Sequence, residues 1–179
     1  RMIEYIEKIL IKEKPNLSLL FGDTDSTLSG AISSSKLGIP IAHIESGLRS
    51  YRKYQPEEIN RIVTDRLSDT CYTPCSSATL NLIKEGIAED IIVEVGDIMQ
   101  DNNFYFSNKA DENKVFLKNN NLYNEKFILV TLHRKENIQD KKKLKEILIS
   151  LNNINHKIVF PIHPSTMKKI KEWKLEKYM

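Results

Sequence analysis

Four polar clusters in this sequence fall just after apolar runs or at the opening of a helix-forming one. They are Gly22-Asp23-Thr24, the stretch His43-Ile44-Glu45-Ser46-Gly47-Leu48-Arg49, the helix opening Pro56-Glu57-Glu58-Ile59-Asn60-Arg61, and Thr131-Leu132-His133-Arg134-Lys135-Glu136-Asn137. Asp23, Glu45 and Glu57 are carboxylates that could move a proton or face a developing positive charge. His133, Arg134 and Lys135 put imidazole, guanidinium and ammonium groups together, a set suited to phosphate.

Each residue also has an ordinary structural use. An Asp between a strand and a helix, as Asp23 is, commonly caps the helix by accepting N–H bonds. Glu45 could bridge to Arg49, and Glu57 and Arg61 have the i,i+4 spacing of a helical ion pair. His43 lies inside a strand, where packing or hydrogen bonding accounts for it; His156 reads as surface, and His163 follows an apolar run. Taken together, acids from two strand ends and one helix start, with basic groups from a later strand end, point to a cleft. Such a cleft suits a substrate that is part neutral sugar and part diphosphate.

The elements that must place these residues alternate. Met2, Ile3, Ile6, Ile9 and Leu10 repeat at helical spacing. Residues 17–21 form a short apolar run ended by Gly22, and a small-residue helix is expected over 24–36, closed by Gly38. A strand over 39–44 precedes an irregular stretch to Gln55. Pro56 at a first helical position with acids behind it marks a helix start. A strand at 70–73, a helix over 76–85 and a strand over 91–95 continue the alternation. A helix over 97–108, the polar run 109–114 and a short helix toward Lys118 follow. A strand over 127–131, a helix over 141–151 and a strand over 157–162 begin a second series. Strand and helix trading places at βαβ spacing predicts an α/β fold with parallel, doubly wound sheets, and a domain boundary near residue 110. In such sheets ligands bind beyond the carboxyl ends of the strands, where all four polar clusters fall.

Composition excludes other classes. The 179 residues are 40% hydrophobic and 28% charged, enough for a packed core. The formal charge of +3 and the lysines toward the end suit a solvated face rather than nucleic acid. No apolar run approaches the roughly 20 residues of a membrane helix, so a cytoplasmic protein without a membrane partner is expected. Cys71 and Cys75 lack the neighbouring ligands of a metal site, and no glycine fingerprint for a dinucleotide is present. A first residue of Arg1, opening inside a helix, reads as a fragment.

On the strings 21–28, 39–50, 56–61 and 131–137, with Pro161-Ile162-His163-Pro164 as a weaker fifth, the chain resembles the non-hydrolysing UDP-N-acetylglucosamine 2-epimerases. The segments keep family order along the whole chain. The resemblance implies two Rossmann-like domains of GT-B type, both incomplete here, with the active site in the cleft between them. Residues 1–110 would be the C-terminal part of the first domain and 111–179 the start of the second, nucleotide-binding one. The family's chains are about twice this long, so an N-terminal glycine/arginine loop and a uridine-diphosphate-binding Ser/Gly/Glu segment are expected outside this sequence.

The family eliminates UDP from UDP-N-acetylglucosamine to leave 2-acetamidoglucal, then adds UDP back to give UDP-N-acetylmannosamine, without cofactor or metal. By motif position Asp23, Glu45 and Glu57 resemble its catalytic carboxylates and His133 the residue at the UDP leaving group. Arg49, Arg61, Arg134 and Glu136 fall at positions for substrate contact or for orienting the carboxylates. Which acid removes the proton stays open. The resemblance also implies a UDP-sugar as partner, a homodimer at full length, and a role in polysaccharide biosynthesis.

Close alternatives remain. Hydrolysing epimerases carry Gly-Asp-Arg and a His-rich segment where this chain has Gly22-Asp23-Thr24 and residues 44–49, which favours retention of UDP. Epimerases of diacetamido-uronate UDP-sugars share the motif 56–61 and the stretch Val95-Gly96-Asp97-Ile98-Met99. An inactive nucleotide-sugar-binding remnant and a GT-B glycosyltransferase are further readings.

Overall fold

The computed structural model describes residues 1–112 and 114–179. The chain divides into two compact units, Arg1–Ser107 and Asn108–Met179.

The first unit runs α1 (Met2–Glu13), β1 (Ser18–Phe21), α2 (Asp25–Lys36), β2 (Ile41–Ile44), α3 (Pro56–Leu67), β3 (Thr70–Thr73), α4 (Ser76–Lys84), β4 (Ile92–Glu94) and α5 (Ile98–Glu112), the last of which continues past the unit boundary. Its four strands lie in the order β1-β2-β3-β4, every neighbouring pair parallel. The α/β class with parallel sheets is thus the one expected.

The register decides where chemistry can occur. Phe21 is paired with Ile44, and Ile44 with Tyr72, so β1 and β2 end side by side. The loops leaving them, with Asp23 and Glu45, therefore start as neighbours.

The small residues of α2 serve close packing. Ser29, Gly30, Ala31, Ser33 and Ser34 are buried, and a methyl group on Gly30 would come within 2.9 Å of Leu20 Cδ2. Thr24 caps this helix, its Oγ1 accepting from the Thr27 N–H. At the other end Gly38, at φ +69°, closes a Schellman motif: its N–H bonds the Ser35 carbonyl and the Ile39 N–H bonds that of Ser34. Pro56 opens α3 as expected, at a position whose N–H would have no helical partner. The core gathers Ile41, Ala42, Cys71, Ala78, Leu82 and Ile87.

The second unit holds the end of α5, then α6 (Val115–Asn119), β5 (Phe127–Leu129), α7 (Lys135–Ile138), α8 (Lys141–Asn152), β6 (Lys157–Val159) and α9 (Pro164–Glu172). β5 and β6 pair in parallel, and the core is Leu132, Ile138, Leu144, Leu148, Ile170 and Leu175.

Sequence and structure differ at three points. The helix expected to stop at residue 108 continues to Glu112, because nothing from 108 to 112 is a glycine or proline. The strands of the second unit are shorter than their apolar runs, and of the residues beyond them Phe160 and Ile162 pack against the core. α7 and α9 were not anticipated, although Pro164 stands at a first helical position. Among the described residues no helix is long and apolar enough to cross a membrane.

Candidate functional site

In the first unit side chains of three motifs are drawn together: Asp23 with Arg61, and Glu45 with Gly22. With Thr24 serving as the cap, the Asp23 side chain is released from that task and forms an ion pair with Arg61 Nη2, one α-helix away. Asn60, buried on α3, donates to the Asp23 carbonyl at 2.9 Å and to Asp25 Oδ1 at 3.0 Å, fixing the turn around Asp23.

Glu45 sits in the left-handed region at φ 71°, where a side chain with a Cβ is strained. Its Oε2 lies 3.5 Å from where a methyl on Gly22 would be, so the absent side chain of Gly22 makes room for it. Its carboxylate has no hydrogen-bond or ion-pair partner among the described residues. A strained backbone holding an acid without a partner among the described residues, beside Gly22, is the pattern of a functional position.

Glu57, in the first turn of α3, is exposed and likewise lacks such a partner among the described residues. The helical pair expected with Arg61 is not made. Arg61 instead reaches Glu58, at 3.2 Å, and Asp23. The i,i+3 neighbour wins because Glu58 faces inward with Arg61, whereas Glu57 projects outward.

Glu58 belongs to the same helix-start cluster but receives no role from the sequence, where nothing distinguishes it from Glu57. It is 2% exposed and accepts from the Ser50 N–H at 2.8 Å, the Ser50 hydroxyl at 3.0 Å and the Tyr51 N–H at 2.7 Å. Burial alone would raise its carboxyl, but these donors and Arg61 outweigh it and hold it below the ordinary carboxylate range. Glu58 thus ties the loop after β2 to the helix that carries Glu57 and Arg61.

The structure engages Arg49 within the unit. Its side chain is 1% exposed and bound to Asp65 Oδ2 at 2.8 Å and to Glu85 at 2.6 and 2.7 Å. Burial opposes its charge, yet Glu85 and Asp65 more than offset this, so the guanidinium is held protonated. With its donors committed, Arg49 orients the loop and is not placed for phosphate; it bridges to these acids rather than to Glu45. Asp65, also missed, lies seven residues beyond Glu58 on the same buried stripe, the one signal that could have found it.

In the second unit, Thr131, Leu132 and His133 leave β5, and the loop is pinned by buried Leu132, whose carbonyl accepts from the Thr166 hydroxyl at 2.5 Å. The neighbouring strand leads to His163, and the two imidazole rings lie 5.9 Å apart at 38°. His163 Nδ1 accepts from the Ser165 N–H, capping α9. In a neutral ring its proton therefore sits on Nε2. His133, Arg134 and Glu136 are exposed, and the Glu136 carbonyl accepts from Lys143 Nζ at 3.0 Å. The basic set is thus larger by one imidazole than the sequence indicated. Among the described residues no group of three or more His, Cys, Asp or Glu could hold a metal ion.

A family model described as UDP-N-acetylglucosamine 2-epimerase matches residues 1–178. A Methanococcus maripaludis protein named UDP-N-acetylglucosamine 2-epimerase homolog is 46% identical over 176 residues, which are 97% of this chain and 49% of that protein. The UDP-2,3-diacetamido-2,3-dideoxy-D-glucuronate 2-epimerase of Pseudomonas aeruginosa is also 46% identical, over 93% of this chain and 47% of its own. Among solved structures, that of Methanocaldococcus jannaschii UDP-GlcNAc 2-epimerase in complex with UDP-GlcNAc and UDP superposes with a TM-score of 0.86. It is 40% identical, over 98% of this chain and 50% of that one. The chain spans about half the length of the curated relatives it matches.

Proposed function

Since the chain belongs to the UDP-N-acetylglucosamine 2-epimerase family, we propose that it carries the catalytic carboxylates of an enzyme interconverting UDP-N-acetylglucosamine and UDP-N-acetylmannosamine. The observation that supports this most is the convergence of Asp23, Glu45 and Arg61, from three separate motifs, on the carboxyl ends of β1 and β2.

The chemistry explains the residue types. The hydrogen on C2 has no adjacent carbonyl to acidify it, so proton removal needs the C1–O bond to be breaking. As that bond breaks, its electron pair leaves with UDP and positive charge grows at C1 and the ring oxygen. A base takes the C2 proton and the C1–C2 double bond of 2-acetamidoglucal forms. Addition runs the steps backward, with the proton delivered to the other face of C2 and a phosphate oxygen closing on C1. No electrons are gained or lost overall.

Asp23, bound to Arg61, suits stabilisation of the developing cation. Glu45 and Glu57, without hydrogen-bond or ion-pair partners among the described residues, suit the giving and taking of the proton. His133, with Arg134 beside it, meets the departing diphosphate, and Glu136 offers an acceptor for a sugar hydroxyl. Arg61 orients Asp23.

In the protein extended to the length of its relatives, Asp23→Asn, Glu45→Gln and Glu57→Gln should each lower kcat by about 10²-fold or more while substrate affinity stays within severalfold. Wild-type kcat in any one of them removes that residue from the mechanism. A second reading, epimerisation of a diacetamido-uronate UDP-sugar, is favoured by the Pseudomonas aeruginosa relative. Offering both UDP-sugars to the same protein separates the two by kcat/KM.

A further inference from the structure

His43 belongs to none of the roles above, yet its surroundings are unusual. It is fully buried in β2, between Leu20 of β1 and Cys71 of β3 in the parallel register. Nδ1 lies 2.6 Å from Asp65 Oδ1, and Nε2 lies 2.8 Å from the carbonyl oxygen of Gly22.

Both partners are acceptors. A backbone carbonyl can only accept, so Nε2 must carry a proton. On the other side, Asp65 Oδ2 already accepts from Arg49 at 2.8 Å and from the Gly47 N–H at 3.1 Å, the partners of an ionised carboxylate. Nδ1 must therefore supply a proton as well. The remaining titratable neighbour adds no charge: burial, aided by Asp65, pushes the Cys71 thiol up to about 11.

The two residues held by this pair matter for catalysis. Gly22 immediately precedes Asp23 and is packed against the Glu45 carboxylate; Gly47 follows Glu45 by two positions. Gly22 and Gly47 both have positive φ, of 66° and 77°, so each marks the bend that turns its loop over the strand end. Ser46 completes the brace, its hydroxyl donating to the His43 carbonyl at 2.7 Å.

We propose that His43 is a doubly protonated positioning residue, which with Asp65 braces the Gly22 and Gly47 bends and so sets the separation of Asp23 and Glu45. It does not touch the substrate. The role in catalysis rests on the function proposed above; the protonation and the brace do not.

The tests separate the two. In nitrogen-15 NMR of histidine-labelled protein, both His43 ring nitrogens should carry protons, with slowly exchanging N–H signals. A ring nitrogen without a proton would overturn the proposal, whatever the enzyme does. Two isosteres then divide the brace: His43→Gln can place its amide N–H where Nε2 was, on Gly22, whereas His43→Asn can reach only toward Asp65. Asp23 and Glu45 backbone amide shifts should stay near wild type in the Gln variant and move in the Asn variant. In protein extended to family length, Asn should lower kcat about 100-fold, the scale of a small misplacement of reacting groups. KM should change little, and Gln should recover at least tenfold of the loss. Equal amide shifts and equal kcat in the two variants would overturn the brace. Should both variants fail to fold, the wild-type ring spectrum still decides the protonation. Absence of turnover in the wild type would count against the proposed function alone, leaving the spectra to decide this proposal.

Discussion

The strain at Glu45 makes a prediction in which stability and activity move apart. A left-handed backbone costs an L-residue about 1–2 kcal/mol, and Glu45 stands there at φ 71°. Glu45→Ala keeps the Cβ and hence the strain; Glu45→Gly removes both. Glycine loses about 0.5–1 kcal/mol of this advantage through the greater freedom of its unfolded chain. Since the Glu45 carboxylate has no hydrogen-bond partner among the described residues, both variants forfeit the same modest packing against Gly22. The glycine variant should therefore be the more stable of the two by about 0.5–1 kcal/mol. For a chain of this size that is roughly a 1–4 °C higher Tm, read by circular dichroism. Both should lack turnover in the protein extended to family length. Equal stability of the two variants would refute the strain, and turnover in either would refute the use made of it.

Three further outcomes are expected. Glu58→Gln leaves at least one of its four donors facing an NH₂ group and weakens charge-assisted bonds, a loss of about 2–4 kcal/mol by urea unfolding at neutral pH. Because the folded carboxyl lies below its ordinary value, this stabilisation is complete above about pH 4.3 and fades as pH falls toward the lower folded value. The gap between wild type and variant should therefore close on acidification; a constant gap would contradict the assignment. Gly47→Ala would put a methyl 2.3 Å from the Ala78 carbonyl oxygen at φ +77°, and should destabilise by about 2–4 kcal/mol; a change under about 1 kcal/mol would show that α4 moves aside. His133→Ala should weaken UDP binding about tenfold in calorimetry on the extended protein, the loss of one charge-assisted bond; unchanged affinity would remove His133 from the diphosphate site.

The alternation of apolar runs with helix-opening signals was legible because each is local. Gly38 at a helix end, Pro56 at a helix start and the small-residue face of α2 all followed from sequence. What local pattern could not assign was which of two adjacent acids points inward. Glu57 and Glu58 differ by one residue of helix rotation, and burial, visible only in three dimensions, gives Arg61 to Glu58. Asp23 and Thr24 present the same difficulty, since either could cap α2; the threonine does so and leaves the aspartate to Arg61. For Arg49 the sequence offers nearby Glu45 or the substrate as partners, because its actual acceptors, Asp65 and Glu85, lie 16 and 36 residues away. His43 was read as packed or hydrogen-bonded, as it is, but the identity of its two acceptors depends on the pairing of β1 with β2 and on α3. Long-range partners, rather than residue types, were the missing information.

The central claim, that these carboxylates serve inversion at C2 of a UDP-sugar, is tested most directly by a proton NMR time course in D₂O. The protein extended to family length would be incubated with UDP-N-acetylglucosamine. Loss of the C2 proton signal as deuterium enters, together with UDP-N-acetylmannosamine signals and their absence in Glu45→Gln, is the predicted result. Undisturbed C2 protons, both with this sugar and with the diacetamido-uronate, would contradict it.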